Sequence, residues 1–180
     1  MRTRAILLGL GASVLVACQP TTFSTTVTGQ TTVRGDPLGA LFSAFPPVGS
    51  FANLDFSANQ DFKNEGVSKK QVTSVKATEV KLKILSPNDQ DFRFLESLAF
   101  YARTGDHEVL VADKVDIARL DLSAPNPTLK MDVKGAELQP YVTAPSMTIV
   151  VRGRGRSPPQ DTRLEASVTL LVEFKLLPGL

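Results

Sequence analysis

The residue types best suited to chemistry are few in this chain and far apart. Cys18 is the only thiol, and an ionised thiol is a strong nucleophile and metal ligand. His107 is the only histidine and stands between Asp106 and Glu108 in a Thr104-Gly105-Asp106-His107 turn. A Ser-His-Asp triad needs its histidine in a packed cleft beside an oriented carboxylate. A turn histidine among charges reads as solvated. Asn88, Asp89 and Asp91 place three oxygen donors close together, the donor type calcium prefers. The glycine and distal glutamate of an EF-hand loop are missing, so the run reads as an ordinary Pro-Asn-Asp turn. Arg152, Arg154 and Arg156 alternate with Gly153 and Gly155. In extended backbone their three guanidinium groups leave one face, and such forks grip phosphate or carboxylate bidentately. The competing reading is a solubilising, edge-protecting hairpin tip ending in Pro158-Pro159. No phosphate loop, nucleophile elbow or paired catalytic carboxylates stand out. The expectation is therefore no enzyme, no metal and no cofactor.

What the thiol could do is set by its neighbours. Arg2 and Arg4 open a positive segment, and the run from Ala5 to Val16 is apolar. At about a dozen residues it is too short for a membrane span, which needs about 20. It has the length of a secretory h-region, and the small Ala17 suits a signal peptidase. Leu15-Val16-Ala17-Cys18 then resembles the lipobox of bacterial lipoprotein precursors, with all four positions matching. The resemblance implies that Cys18 receives a diacylglycerol thioether, that residues 1–17 are cleaved away, and that the new amino group is acylated. Two or three acyl chains hold a protein firmly, where one alone holds marginally. By the same resemblance, Gln19 after the cysteine favours the outer membrane over inner-membrane retention. About half of the chain resembles uncharacterised small envelope lipoproteins, through Phe94-Leu95-Glu96-Ser97-Leu98-Ala99-Phe100-Tyr101 and Leu138-Gln139-Pro140-Tyr141. That likeness carries no known activity.

Removing residues 1–17 leaves 163 residues, enough for one domain. Arg2 and Arg4 leave with the signal, so the 18 remaining basic residues match the 18 acidic ones. A neutral body has no general attraction to nucleic acid, and none is expected as a partner. With Cys18 acylated no disulfide is available, and the fold must rest on its apolar core.

The elements that position these residues read mostly as strands. Residues 18–30 are a Thr-rich tether or a first edge strand, broken or bulged at Gly29. The domain proper spans 31–180. Asp36-Pro37 reads as a helix start, with Leu38, Leu41, Phe42 and Phe45 on one face of a helix near 37–45 that plugs one end of the core. Leu54, Phe56 and Ala58 alternate as a strand, and 59–68 reads as a turn. A bulge falls within 69–78, since Val72 and Val75 are out of step. Val80, Leu82 and Ile84 form a further strand; Leu98, Phe100 and Ala102 another, leading through the 104–107 turn into 108–115. Leu129, Met131 and Val133 alternate, and 135–145 is irregular, with one helical turn before Pro140. Leu164, Ala166, Val168, Leu170, Val172 and Phe174 give six inward positions in a central strand, expected to pair with 146–152 in a long hairpin. About eight strands and one helix predict an antiparallel β-sandwich, immunoglobulin-like in architecture, with a closed barrel as the alternative. The function expected is a non-enzymatic envelope interaction or structural module. A carrier with an apolar cavity for a lipid or hydrophobic small molecule is the alternative. The expected partners are the bilayer through Cys18, and an envelope protein or anionic envelope polymer at the arginines.

Overall fold

The unbroken alternation over 164–174 builds the central strand of one sheet. The computed structural model describes residues 21–122 and 124–176; the Leu15-Val16-Ala17-Cys18 lipobox lies outside them. Nine strands occur among the described residues: β1 Thr21–Val33, β2 Leu41–Phe42, β3 Val72–Ser86, β4 Leu95–Thr104, β5 His107–Val115, β6 Thr128–Lys130, β7 Asp132–Val133, β8 Thr148–Arg156 and β9 Thr162–Phe174. They form two antiparallel sheets, ordered β1-β9-β3-β6 and β2-β8-β4-β5-β7. The sheets do not close into a barrel; the molecule is the all-β antiparallel sandwich that the alternation predicts.

The strand order is not the immunoglobulin-like one expected. β6 and β7 are one extended run that changes sheet at Met131, whose amide donates to the Val80 carbonyl. Counted as one strand, the pair gives eight, arranged 1-9-3-6 over 2-8-4-5. That is the double Greek-key order of a jelly roll.

β9 pairs with β1 on one side and β3 on the other, and all six inward residues from Leu164 to Phe174 are buried. The pairing of β9 with residues 146–152 is a correction. β8 lies in the opposite sheet, between β2 and β4, because 157–161 carries the chain across the core. The β4–β5 hairpin forms as expected, Thr104 facing His107. β3 carries the expected bulge, with register shifts between Val72 and Ser74 and between Ala77 and Glu79.

Five local expectations differ from the structure for identifiable reasons. No helix forms over 37–45. Asp36 accepts from the Leu38 amide, the Gly39 amide returns to the Asp36 carbonyl, and Gly39 takes φ +63, so the chain turns once and leaves as β2. The plug comes instead from α1, Gln60–Asn64, within the stretch read as a turn. Asn59 caps it by accepting from the Asp61 and Phe62 amides. Its Phe62 is buried edge-on against Phe23, 5.0 Å between centroids, and beside Phe56. Residues 54–58 form no strand: Leu54 makes one bridge to Met147, and Phe56 enters the core from a turn. β1 runs without a bulge through Gly29, where a side chain would meet Ser50 and Val48 of the segment crossing above it. The helical turn near Pro140 is α2, Gln139–Val142, which contains the proline in its first turn.

Candidate functional site

The three arginines lie on β8, and the alternation of the sequence is the alternation of the strand. Arg152, Arg154 and Arg156 are exposed on the outer face, while Gly153 and Gly155 are buried on the inner one. The glycines answer to packing. A side chain at Gly155 would collide with the Phe94 carbonyl oxygen, and one at Gly153 would press on Leu98 and Phe45. The Arg-Gly repeat is therefore a charged outer face opposite a crowded core. The hairpin-tip reading does not hold, since β8 and β9 lie in different sheets and form no hairpin.

The arginines do not act as three equal forks. Arg152 is held by Glu108 through two bonds, Nη1 to Oε1 at 2.7 Å and Nη2 to Oε2 at 2.9 Å. Its guanidinium also lies 4.4 Å from the centre of the Tyr101 ring. The hydrogen bonding to Glu108 pushes the Arg152 pKa up, and its charge is answered within the fold. Arg154 and Arg156 meet no carboxylate within ion-pair distance among the described residues; the one bond recorded for Arg156 is to the Gly39 carbonyl at 3.4 Å. About 7 Å separates alternate residues on a strand, so these two guanidinium groups are the spaced pair left for an anion.

Register sets their surroundings. Arg154 stands opposite Ser97 and Arg156 opposite Leu41. An open groove of about 320 Å³ runs over the sheet beside them, lined by Ser97, Ala99, Tyr101, Asp113, Arg152 and Arg154. Asp113 is neutralised by Lys134 at 2.6 Å, and Asp132 by Lys114 at 2.8 Å. A second opening of about 260 Å³ joins Leu41, Ser43, Glu96 and Arg154. Glu96 is the carboxylate an incoming anion would meet there. Leu38 and Leu41 are 94% and 72% exposed at the same corner. The corner can hold an anionic group by charge and hydrogen bonding, against exposed apolar surface. It contains no pair of groups set for proton transfer.

No family model and no curated protein matches this sequence. Among solved structures, the chain is similar to a decameric BFDV capsid protein, with TM-score 0.44 and 11% identity over 88% of this chain and 100% of that one. It is also similar to the Desmodium yellow mottle tymovirus structure, with TM-score 0.34 and 10% identity over 99% of this chain and 96% of that one. At these scores the likeness carries no argument about what this chain does.

The other candidate residues are placed apart from this corner. His107 is exposed at the β4–β5 turn. Asp91 caps a short 3-10 turn by accepting from the Arg93 amide, and Asn88 and Asp89 are exposed in the turn before it. No cluster of three or more metal-ligating side chains occurs among the described residues. Sequence reasoning missed Tyr101 and Glu108, which fix Arg152, because both depend on register across β5, β4 and β8. It also missed Glu137. Burial works to raise the pKa of that carboxyl, but bonds from the Val75 amide at 2.7 Å, the Ser74 hydroxyl at 2.7 Å and the Gln139 amide at 2.9 Å outweigh it and bring it down. Glu137 thus closes the β3 edge beyond its short pairing with β6, which spans only Lys81 to Lys83.

Proposed function

We propose that this chain is a bacterial envelope lipoprotein, held to the bilayer by an acylated Cys18, whose sandwich works as a non-enzymatic interaction module. The observation that carries this reading is the Leu15-Val16-Ala17-Cys18 tetrapeptide at the end of a short apolar run behind Arg2 and Arg4. By the same resemblance, Gln19 in place of an aspartate favours the outer membrane over inner-membrane retention. The partner is met at the corner of Arg154, Arg156, Leu38 and Leu41. Unpaired arginine beside exposed apolar side chains is the composition of a protein-binding surface more than of a site for a free polymer. The carrier reading draws no support from the interior, where Phe51, Phe92, Phe100, Leu82 and Leu95 are fully buried between the sheets.

Replacing Cys18 with Ser tests the anchor. The variant should accumulate as uncleaved precursor and lose membrane retention by detergent-sensitive acyl chains. Processing and fractionation identical to the wild type would defeat the reading. The corner is tested separately by Leu38→Asp with Arg154→Glu in the lipidated protein. Envelope crosslinks to the wild type should be lost; an unchanged crosslink pattern would remove the corner from the account.

A further inference from the structure

The structure places the start of β1 and the end of β9 side by side: Thr21 pairs with Phe174. Two residues lie between Cys18 and Thr21, so the chain from one to the other reaches at most about 11 Å. An acylated Cys18 therefore brings this end of the sandwich onto the bilayer, leaving no room for a long tether. Leu176, two residues past β9, is 71% exposed at this same end. It is followed by Leu177-Pro178-Gly179-Leu180, which carry no charged side chain and lie outside the described residues. Lys175 is exposed beside it, and its amide is tied to the Gln71 carbonyl. Lys70 is exposed in the turn that enters β3, and Lys63 is exposed on α1. None of Lys63, Lys70 and Lys175 appears in an ion pair among the described residues, whereas Lys69 is spent on Asp55 and the Ala144 carbonyl. An open groove of about 590 Å³ separates α1 from that turn, with Phe62 and Val67 inside and Lys63, Lys69 and Lys70 on its rim.

We propose that this end is a second, non-covalent membrane contact, made to the anionic phospholipid surface of the bilayer that holds Cys18. The inference rests on the lipid-anchor reading. Leu176 enters the interfacial layer, and Lys70, Lys175 and Lys63 stand at phosphate level, their stems along apolar surface and their ammonium groups in the headgroups. Asp61, Glu65 and Glu173 share this end, so no net positive field draws it down. The apolar contact carries the larger part, and the lysines act at short range. The sandwich then stands end-on. β1 runs 13 residues from Thr21 to Val33, which at about 3.3 Å per residue sets the Leu38–Arg156 corner roughly 40 Å above the membrane.

The test uses the lipidated full chain, in which an acylated Cys18 cannot take up a thiol-reactive dye. Leu176→Cys, Lys70→Cys and Leu38→Cys are labelled separately and reconstituted into phosphatidylethanolamine–phosphatidylglycerol vesicles that carry a headgroup quencher. Labels at 176 and 70 should be quenched at least threefold more than the label at 38. Position 70 is exposed, so its variant guards against misfolding at 176. Equal quenching at all three positions, or stronger quenching at 38, would overturn the end-on contact while leaving the anchor standing. Dye uptake at Cys18 itself, with an unacylated mass, would overturn both.

Discussion

The two ends of the sandwich are closed by different physics. At the end where β1 starts, polar groups tie separate segments together. Asp55 holds Lys69 at 2.6 Å, Asn59 bonds Thr25, and Glu137 gathers Ser74, Val75 and Gln139. An aromatic plug of Phe23, Phe62 and Phe174 lies beneath them. At the far end the closure is mainly steric, with one carboxylate tie across it, from the Gly35 amide to Asp161 at 2.8 Å. β8 passes against the turn before β4 so tightly that Gly155 admits no side chain, and the 34–40 turn lies against 157–161 through the Asp36 amide and the Pro158 carbonyl. The near end is thus open to titration, and the far end is sensitive to volume. The far end can leave Arg154, Arg156, Leu38 and Leu41 exposed because its integrity does not depend on them.

The largest effect should come from the far end. Gly155→Ala forces backbone apart, since the obstacle is the Phe94 carbonyl and not a movable side chain. A loss of roughly 3 kcal/mol is expected from overpacking. Denaturant unfolding should give a similar loss at pH 3 and pH 7, because the atoms in the way are backbone atoms of Phe94 and Leu95, which do not titrate. A pH-dependent loss would blur the distinction between the ends.

Glu137→Ala should cost less, roughly 1 kcal/mol, because only the Val75 amide it satisfies is partly buried and water can reach the Ser74 and Gln139 donors. Hydrogen exchange should localise the damage to the start of β3 and to α2. Damage spread over β8 would show that the ends are not separate units.

Acid should distinguish the ends without mutation. Hydrogen bonding from Lys69 holds the Asp55 carboxyl down at about 2, and the Glu137 carboxyl also lies below its ordinary value. Both folded-state values are depressed, so their stabilisation is present above the ordinary carboxylate range and fades as pH falls from about 4.5 towards 2. Amides of Val75 and Gln139 should lose protection in that window before those of β8. Loss at β8 first would contradict the assignment. The Asp55–Lys69 share will be small, because the aspartate is solvent-exposed.

The smallest effect belongs to the exposed pair. Arg154→Gln with Arg156→Gln should move stability by less than about 0.5 kcal/mol, as surface substitutions do. Arg152→Gln should be worse than either, since it strands Glu108. A large loss from the 154/156 pair would mean that they hold the far end together, and they would cease to be a candidate contact.

Period alone made part of this fold legible. The six alternating positions of β9 and the β4–β5 hairpin follow from side chains pointing to opposite faces in turn. The Arg-Gly alternation places three guanidinium groups on one face of an extended chain, but alternation alone does not tell the end of a strand from a hairpin tip. What period does not encode is which strand lies beside which. β8 and β9 are neighbours in sequence and lie in different sheets, and the Glu108 that pairs with Arg152 is 44 residues away. Local signals with two meanings misled as well. Asp-Pro opens helices and Asx turns alike, and Gly39 at φ +63 decides for the turn at 36–39. The likeness of Leu15-Val16-Ala17-Cys18 to a lipobox rests on residue types and order alone, and those residues lie outside the described ones.

The most direct measurement is the intact mass of the protein extracted from its own membranes. A chain beginning at Cys18 and carrying the added mass of a diacylglycerol, with or without a further acyl group, is expected. A single species with the mass of the uncleaved, unmodified 180-residue polypeptide would contradict the lipid anchor.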